Sequence, residues 1–299
     1  MAVRVIDSNG NSINIAGRGR PGAPGADGKS AYQYAVDGGY TGTEEEFQAL
    51  IGSGPWVPEA GFVPASNPNL LYNWYLKDPI NQRGKTEYRG AVYGADGWKN
   101  MGSHNEQRLE SDGITVGRIS GNTNSGSKNI SQSVENWEWM AGKTFTASAL
   151  VSRATGYAYM LLMHGDSTNT YVSINGSGEG PFLLKKTFTF PAEMHGLRFL
   201  LRSPSSAEDI SATFAAAKLE LGSEQTLAHQ DADRNWVLND PPPNKALELE
   251  KCQRYFQIFS TQEKRPVLAE DFRPVMRINP ALTTMEINGG TWYVADANL

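Results

Sequence analysis

Four Gly-X-Y triplets run without interruption from Gly19 to Ser30: Gly-Arg-Pro, Gly-Ala-Pro, Gly-Ala-Asp and Gly-Lys-Ser. A polyproline-II chain with glycine at every third position can wind with two further copies of itself, because only glycine fits at the crowded axis. The triplets therefore predict a homotrimer with Gly19, Gly22, Gly25 and Gly28 at its axis, and an elongated molecule. So short a run cannot hold three chains, so neighbouring segments are expected to do most of the trimerising. The competing reading is a Pro/Gly linker whose glycine phase is accidental.

The 299 residues suggest roughly two domains plus connectors. Hydrophobic residues make up 39% of the chain, enough for packed cores and too many for a disordered polymer. The 27 basic and 32 acidic side chains leave a net charge of −5 with no dense basic run, which argues against a nucleic-acid partner. Cys252 is the only cysteine, which excludes an intrachain disulfide and a cysteine zinc cluster. The start, Met-Ala-Val-Arg-Val, lacks the basic and apolar regions of a signal peptide. No stretch approaches 18 apolar residues, so no membrane insertion is expected.

Val3, Val5 and Ile6, then Asn9-Gly10, then Ile13 and Ile15 read as a β-hairpin within an attachment segment, residues 1–18. The triplets occupy 19–30, and a short helical module follows over 31–52. There Ser30 can cap a helix from Ala31 to Asp37, and Thr43-Glu-Glu-Glu46 is a capping box that starts a second. Residues 53–68 form a Pro/Gly-rich linker. Residues 69–239 are rich in β-branched and aromatic residues in short runs broken by Gly, Asn and Ser. Strands are predicted over 113–119, 144–153, 157–164, 171–174, 183–190, 197–202 and 210–221, the pattern of an antiparallel β-sandwich. In the last part, 240–299, Asn244 caps a helix whose apolar stripe is predicted to run Leu249, Cys252, Phe256 and Phe259. Short strands follow over 266–268, 275–278, 283–287 and 291–295. Strands so few and short are a poor independent domain and would gain from packing of three copies.

Several motifs fail on context. Gly17-Arg-Gly19-Arg-Pro-Gly22 matches a dinucleotide fingerprint, but no helix follows it and Pro21 disrupts the turn. Asp7 to Arg18 and the loop beginning at Asp231 resemble calcium loops but lack the Gly at position six, and the first also lacks the Glu at twelve. The histidines at 104, 164, 195 and 229 are scattered, and no metal or cofactor is expected. Cys252 reads as a small core residue. Glu135, Glu138, Asp166 and Glu179 could serve glycoside hydrolysis only if two of them face each other, and a non-enzymatic protein is the expectation. Trp98, Trp137, Trp139, Tyr159 and Tyr171 are the candidate glycan-binding residues, since aromatic faces stack on sugars. The alternative for each is a place in the sandwich core.

Three regions resemble a bacteriophage tail or head fibre. Gly28-Lys-Ser-Ala-Tyr-Gln-Tyr-Ala-Val-Asp-Gly-Gly-Tyr-Thr-Gly-Thr-Glu-Glu-Glu-Phe47 is similar to a module that follows collagen-like triplets in such proteins. Asn69-Leu-Leu-Tyr-Asn-Trp-Tyr, Pro79-Ile-Asn-Gln-Arg-Gly84 and Gly97-Trp98 resemble the opening of a jelly-roll, carbohydrate-binding-like domain, and Lys218-Leu-Glu-Leu-Gly222 its last strand. Leu247 to Phe256 is similar to the helix that opens a C-terminal β-module. The resemblance implies a mainly β, homotrimeric virion appendage. Its N-terminus would contact other virion proteins and its outer parts bacterial surface glycans. The C-terminal module, short in this sequence, would act as a trimer clamp. A purely architectural decoration fibre and a polysaccharide-degrading enzyme are the alternatives.

Overall fold

A computed structural model of the chain describes residues 3–6, 12–15, 31–37, 39–47, 66–118, 128–165, 169–203, 210–260, 269–287 and 289–298. The chain divides into two units, Met1–Phe62 and Val63–Leu299. The triplets, with Gly19, Gly22, Gly25 and Gly28, lie outside the described residues, as does the expected linker up to residue 65.

In the first unit, β1 (Val3–Ile6) and β2 (Ser12–Ile15) pair antiparallel, as the hairpin pattern predicts. Helix α1 spans Ala31–Asp37, and the chain turns away at Gly39, whose φ of 100° suits a residue without a Cβ. The capping box forms: Thr43 N–H donates to Glu46 Oε2 at 2.7 Å, and Glu46 N–H to Thr43 Oγ1 at 3.2 Å. Tyr32, Tyr40 and Phe47 pack ring against ring, with centroids 5.6 to 6.3 Å apart.

The second unit is mainly antiparallel β. Its first strands are β3 (Glu87–Arg89), β4 (Lys99–Asn100), β5 (Asn105–Glu110), β6 (Gly113–Arg118) and β7 (Lys128–Ser133). Next come β8 (Thr144–Ala154), β9 (Tyr157–Met163), β10 (Thr170–Ser177), β11 (Phe182–Thr189), β12 (Arg198–Ser203) and β13 (Ala212–Leu221). They form two facing sheets, ordered β10-β9-β12-β7-β4 and β11-β8-β13-β6-β5-β3, the β-sandwich of a jelly roll. Phe145, Met160, Phe199, Leu201, Phe214 and Leu219 lie in the core between them. A small hairpin, β14 (Ala228–Gln230) with β15 (Trp236–Leu238), follows. Its turn is closed by the Asp231 carboxylate, which accepts from the N–H groups of Asp233 and Asn235. That explains the false calcium signature at Asp231.

Ser66 already belongs to this unit, three residues before its expected start: its hydroxyl donates to Asp240 at 2.6 Å. Lys218 and Glu220, both buried on β13, complete this clasp. The Lys218 ammonium donates to Thr226 at 2.8 Å and to Asp240 at 3.3 Å, and Glu220 accepts from Thr226 N–H at 2.7 Å.

Helix α2 (Lys245–Gln253) begins at Asn244, whose side chain accepts from Ala246 and Leu247 N–H. The predicted stripe is corrected here. The helix stops at Gln253, and Phe256 and Phe259 lie on β16 (Phe256–Ser260). β18 (Gly290–Asp296) pairs with β16 on one side and β17 (Ala281–Ile287) on the other. Sheet pairing of Phe256 to Ser260 thus overrides a periodicity that would have continued the helix. Residues 275–278 form no strand; Arg277 N–H donates instead to the Arg254 carbonyl at 2.9 Å. Residues 266–268 lie outside the described residues.

This C-terminal sheet finds much of its burial against its own sandwich. Tyr255 stacks parallel on Tyr72 at 4.6 Å. The Arg83 guanidinium lies 3.6 Å over the Phe256 ring. Glu135 receives Arg277 at 2.6 Å and Arg254 at 3.6 Å.

Candidate functional site

In an antiparallel sheet, residues directly opposite share a face. On the five-stranded sheet Lys99, Ser131, Leu200, Leu161 and Ser173 form one such row. Ser133, Arg198 and Met163 form the next, and Asn129, Arg202, Tyr159 and Asn175 a third. The residues alternating with them, such as Ile130, Phe199, Leu201, Met160 and Leu162, point into the core. These rows therefore point away from the core, although Ser131, Leu161, Leu200 and Met163 in them are buried. Leu161, Met163 and Leu200 make a separate apolar cluster on that outer face, with Tyr159 packed against it.

At the β4 end of this face lies a cleft of about 440 Å³. Trp137 and Tyr93 supply its aromatic rings; Lys99, Ser131, Ser133 and Arg198 supply polar groups. Trp137 opens a 3-10 turn, Trp137–Met140, entered through Asn136 in the left-handed region at φ 51°. Tyr93 is held by a backbone bridge to Lys99, whose ammonium lies 5.2 Å from the ring centroid. Burial, reinforced by Asp296, pushes the Tyr93 phenol up to about 12 although Arg83 and Arg277 oppose it, so it stays a neutral donor. Arg198 is fixed by Nε and Nη2, which donate to the His164 carbonyl at 3.3 and 3.2 Å. Gly165 reaches the cleft because it crosses Gly196 closely: a Cβ on Gly196 would sit 2.8 Å from the Gly165 Cα.

The five aromatic candidates separate. Trp137 lines the cleft, and Tyr159 stands half-buried on the same outer face. Trp98 is corrected to the core: it is fully buried, its indole donates to the Asn73 carbonyl at 2.9 Å, and Phe199 meets it edge-on. Tyr171 is a structural strut. Its hydroxyl donates to Gly196 O at 3.1 Å and accepts from His195 N–H at 2.9 Å, while its ring stacks on His164. Trp139 is 41% exposed but packs on Phe145 with the Lys143 ammonium over it, and does not line the cleft. A strand would put Trp137 and Trp139 on one side; the 3-10 turn rotates them apart. Tyr93 and Lys99 went unread, because nothing in the local sequence marks them as neighbours of Trp137.

The structure describes three of the four candidate acids. Glu135 is ion-paired with Arg277 and Arg254, Glu138 and Glu179 are exposed, and Asp166 lies outside the described residues. Among the described residues no group of three or more His, Cys, Asp or Glu could hold a metal, and no helix is long and apolar enough to cross a membrane. Burial pushes the Cys252 thiol far up, which makes it a poor nucleophile.

The motifs of the resemblance turn out to be scaffold. Asn73 donates to the carbonyls of Ile80 and Asp96 at 2.9 and 2.8 Å, and accepts from Ile80 N–H at 2.7 Å. Asp96 is buried between Arg83 at 3.0 Å and Gln82 at 2.7 Å, and Gln82 also donates to the Phe256 carbonyl. Burial raises the Asp96 carboxyl to about 6 against the pull of Arg83. Gly97, at φ 81°, leaves room for Tyr72, which a Cβ would strike at 2.5 Å.

No protein-family model matches the chain. No curated protein matches it. Among solved structures it is similar to a CBM4 structure, with 15% identity and a TM-score of 0.35 over 50% of this chain and 98% of that one. It is also similar to CBM29_1, a family 29 carbohydrate-binding module from Piromyces equi, with 14% identity and a TM-score of 0.31 over 46% and 93% of the two chains. A further likeness is to the enzymatically active domain of tailspike protein 4 of bacteriophage CBA120, with 17% identity and a TM-score of 0.28 over 50% of this chain and 19% of that one. Likenesses with such values carry no argument about ligand or role.

Proposed function

We propose that the protein is a non-catalytic, homotrimeric component of a phage virion fibre that adheres to bacterial surface glycans through the outer face of its five-stranded sheet. The cleft carries the adhesive part of this reading. It places two aromatic rings, Trp137 and Tyr93, beside hydroxyl and cationic side chains on a rigid sheet. Rings of this kind cover the C–H faces of sugars, and fixed polar groups take their oxygens. The fibre part rests on the four triplets and on the order of the fibre-like motifs along the chain. Three copies would make weak single sites sufficient, because linkage raises the effective concentration of the second and third.

The test is a glycan array of bacterial surface polysaccharides probed with the full chain and with Trp137→Ala. Binding by the first and not by the second is expected. A blank array for the full chain would leave an architectural fibre. Release of reducing ends from a bound polysaccharide would make the protein an enzyme. The mass in solution tests the assembly separately: a stable monomer at micromolar concentration removes the trimer.

A further inference from the structure

We infer that the glycan taken by this face is anionic, a polymer carrying carboxylate groups such as uronic acids. The inference rests on the glycan reading above and adds the charge of the ligand. The protein as a whole is acidic, with a net charge of −5. The outward rows of the five-stranded sheet nevertheless carry Lys99, Arg198 and Arg202 and not one Asp or Glu. No described residue lining the cleft is acidic either.

On the other sheet several cations meet acids: Arg89 and Arg108 both meet Glu106, at 2.9 and 3.1 Å, Arg153 meets Asp112 at 3.2 Å, and Lys218 meets Glu220 at 3.7 Å, while Lys185 and Lys186 on β11 stand exposed. At Lys99 and Arg202 on the five-stranded sheet the described contacts are to neutral groups. The half-buried Lys99 ammonium faces the Tyr93 ring, and Arg202 donates to the Asn129 amide oxygen. Burial lowers the Arg202 guanidinium from its usual range, although Tyr159 opposes it. A carboxylate arriving in the cleft supplies an opposite charge to Lys99 and completes a charge-assisted hydrogen bond. Lys99 on β4 and Arg202 on β12 are two strand spacings apart across the sheet and two residues apart along it, about 12 Å between backbones. They are thus placed to meet different sugars of one bound chain.

The experiment is affinity electrophoresis of the full chain through gels containing polygalacturonate, alginate or hyaluronan, each beside the same polymer with its carboxyl groups reduced to alcohols. Retention by at least one acidic polymer is expected, falling about tenfold or more for its reduced form and weakening as salt is added, since exposed charge pairs are screened. Lys99→Gln should weaken the acidic interaction by roughly tenfold, the scale of one charge-assisted hydrogen bond, while Lys99→Arg keeps most of it. Equal retention by acidic and reduced polymers, no effect of Lys99→Gln, or retention by reduced polymers only overturns the inference and leaves the glycan reading standing. Retention by no polymer of either kind, together with a blank glycan array, removes both.

Discussion

Removing the Trp137 ring takes away one wall of the cleft and a half-buried contact at the edge of the core. Trp137→Ala is therefore expected to abolish glycan retention while moving the thermal midpoint by only a few degrees. Trp98→Ala, by contrast, empties a fully buried site and should cost about 3–5 kcal/mol of stability, read by urea denaturation. Sequence weighed both tryptophans alike because the deciding fact is which side of a sheet each ring lies on, and that depends on strands paired from far along the chain. Asp96 yields a pH-dependent outcome. Its folded value of about 6 lies above the ordinary 3.8, so the folded chain holds this proton more tightly than the unfolded one. The stability it contributes is full below about pH 4 and is lost as pH rises through 6. The advantage of the native chain over Asp96→Asn should therefore shrink between pH 4 and pH 7 by up to about 3 kcal/mol, one pKa unit being worth about 1.4 kcal/mol. An advantage that grows with pH would show that Arg83 outweighs burial.

Elements defined by local chemistry were the legible ones. The capping box at Thr43 and the Asn244 cap are both set by side chains within a few residues of the backbone they satisfy. Asn244→Ala should accordingly cost about 1 kcal/mol, measured as a shift in the denaturation midpoint. Strands β5 and β7 were not legible. Asn105-Glu-Gln-Arg-Leu-Glu110 and Lys128-Asn-Ile-Ser-Gln-Ser133 look like polar loops, yet both sit inside sheets with several polar residues buried. Their partners there are distant: Gln132 accepts from Tyr72 N–H at 3.0 Å, and Gln107 from Ala95 N–H at 2.9 Å. Strand propensity is a matter of neighbours more than of composition. For the same reason the apolar stripe of α2 was read too long, since β18 captures Phe256 to Ser260.

On the scale of the second unit, the C-terminal sheet leans on the sandwich through Tyr255, Phe256 and the two arginines that share Glu135. Glu135→Ala leaves Arg277 half-buried beside Arg254 with no carboxylate between them. It should cost about 2 kcal/mol, the worth of a hydrogen bond to a charged group, and expose the last segment to limited proteolysis before the sandwich. Reading the segment by strand number and length alone leaves out this burial within its own chain, to which packing of three copies would add. The motifs at 69–75, 79–84 and 97–98 belong to this scaffold; the cleft is lined by residues outside them, Tyr93, Lys99 and Trp137 among them. The sandwich itself begins and finishes at one spot, where Ser66 and Asp240 touch beside the Lys218 ammonium. A tug between those two residues loads this button first and reaches the sheets only after it gives.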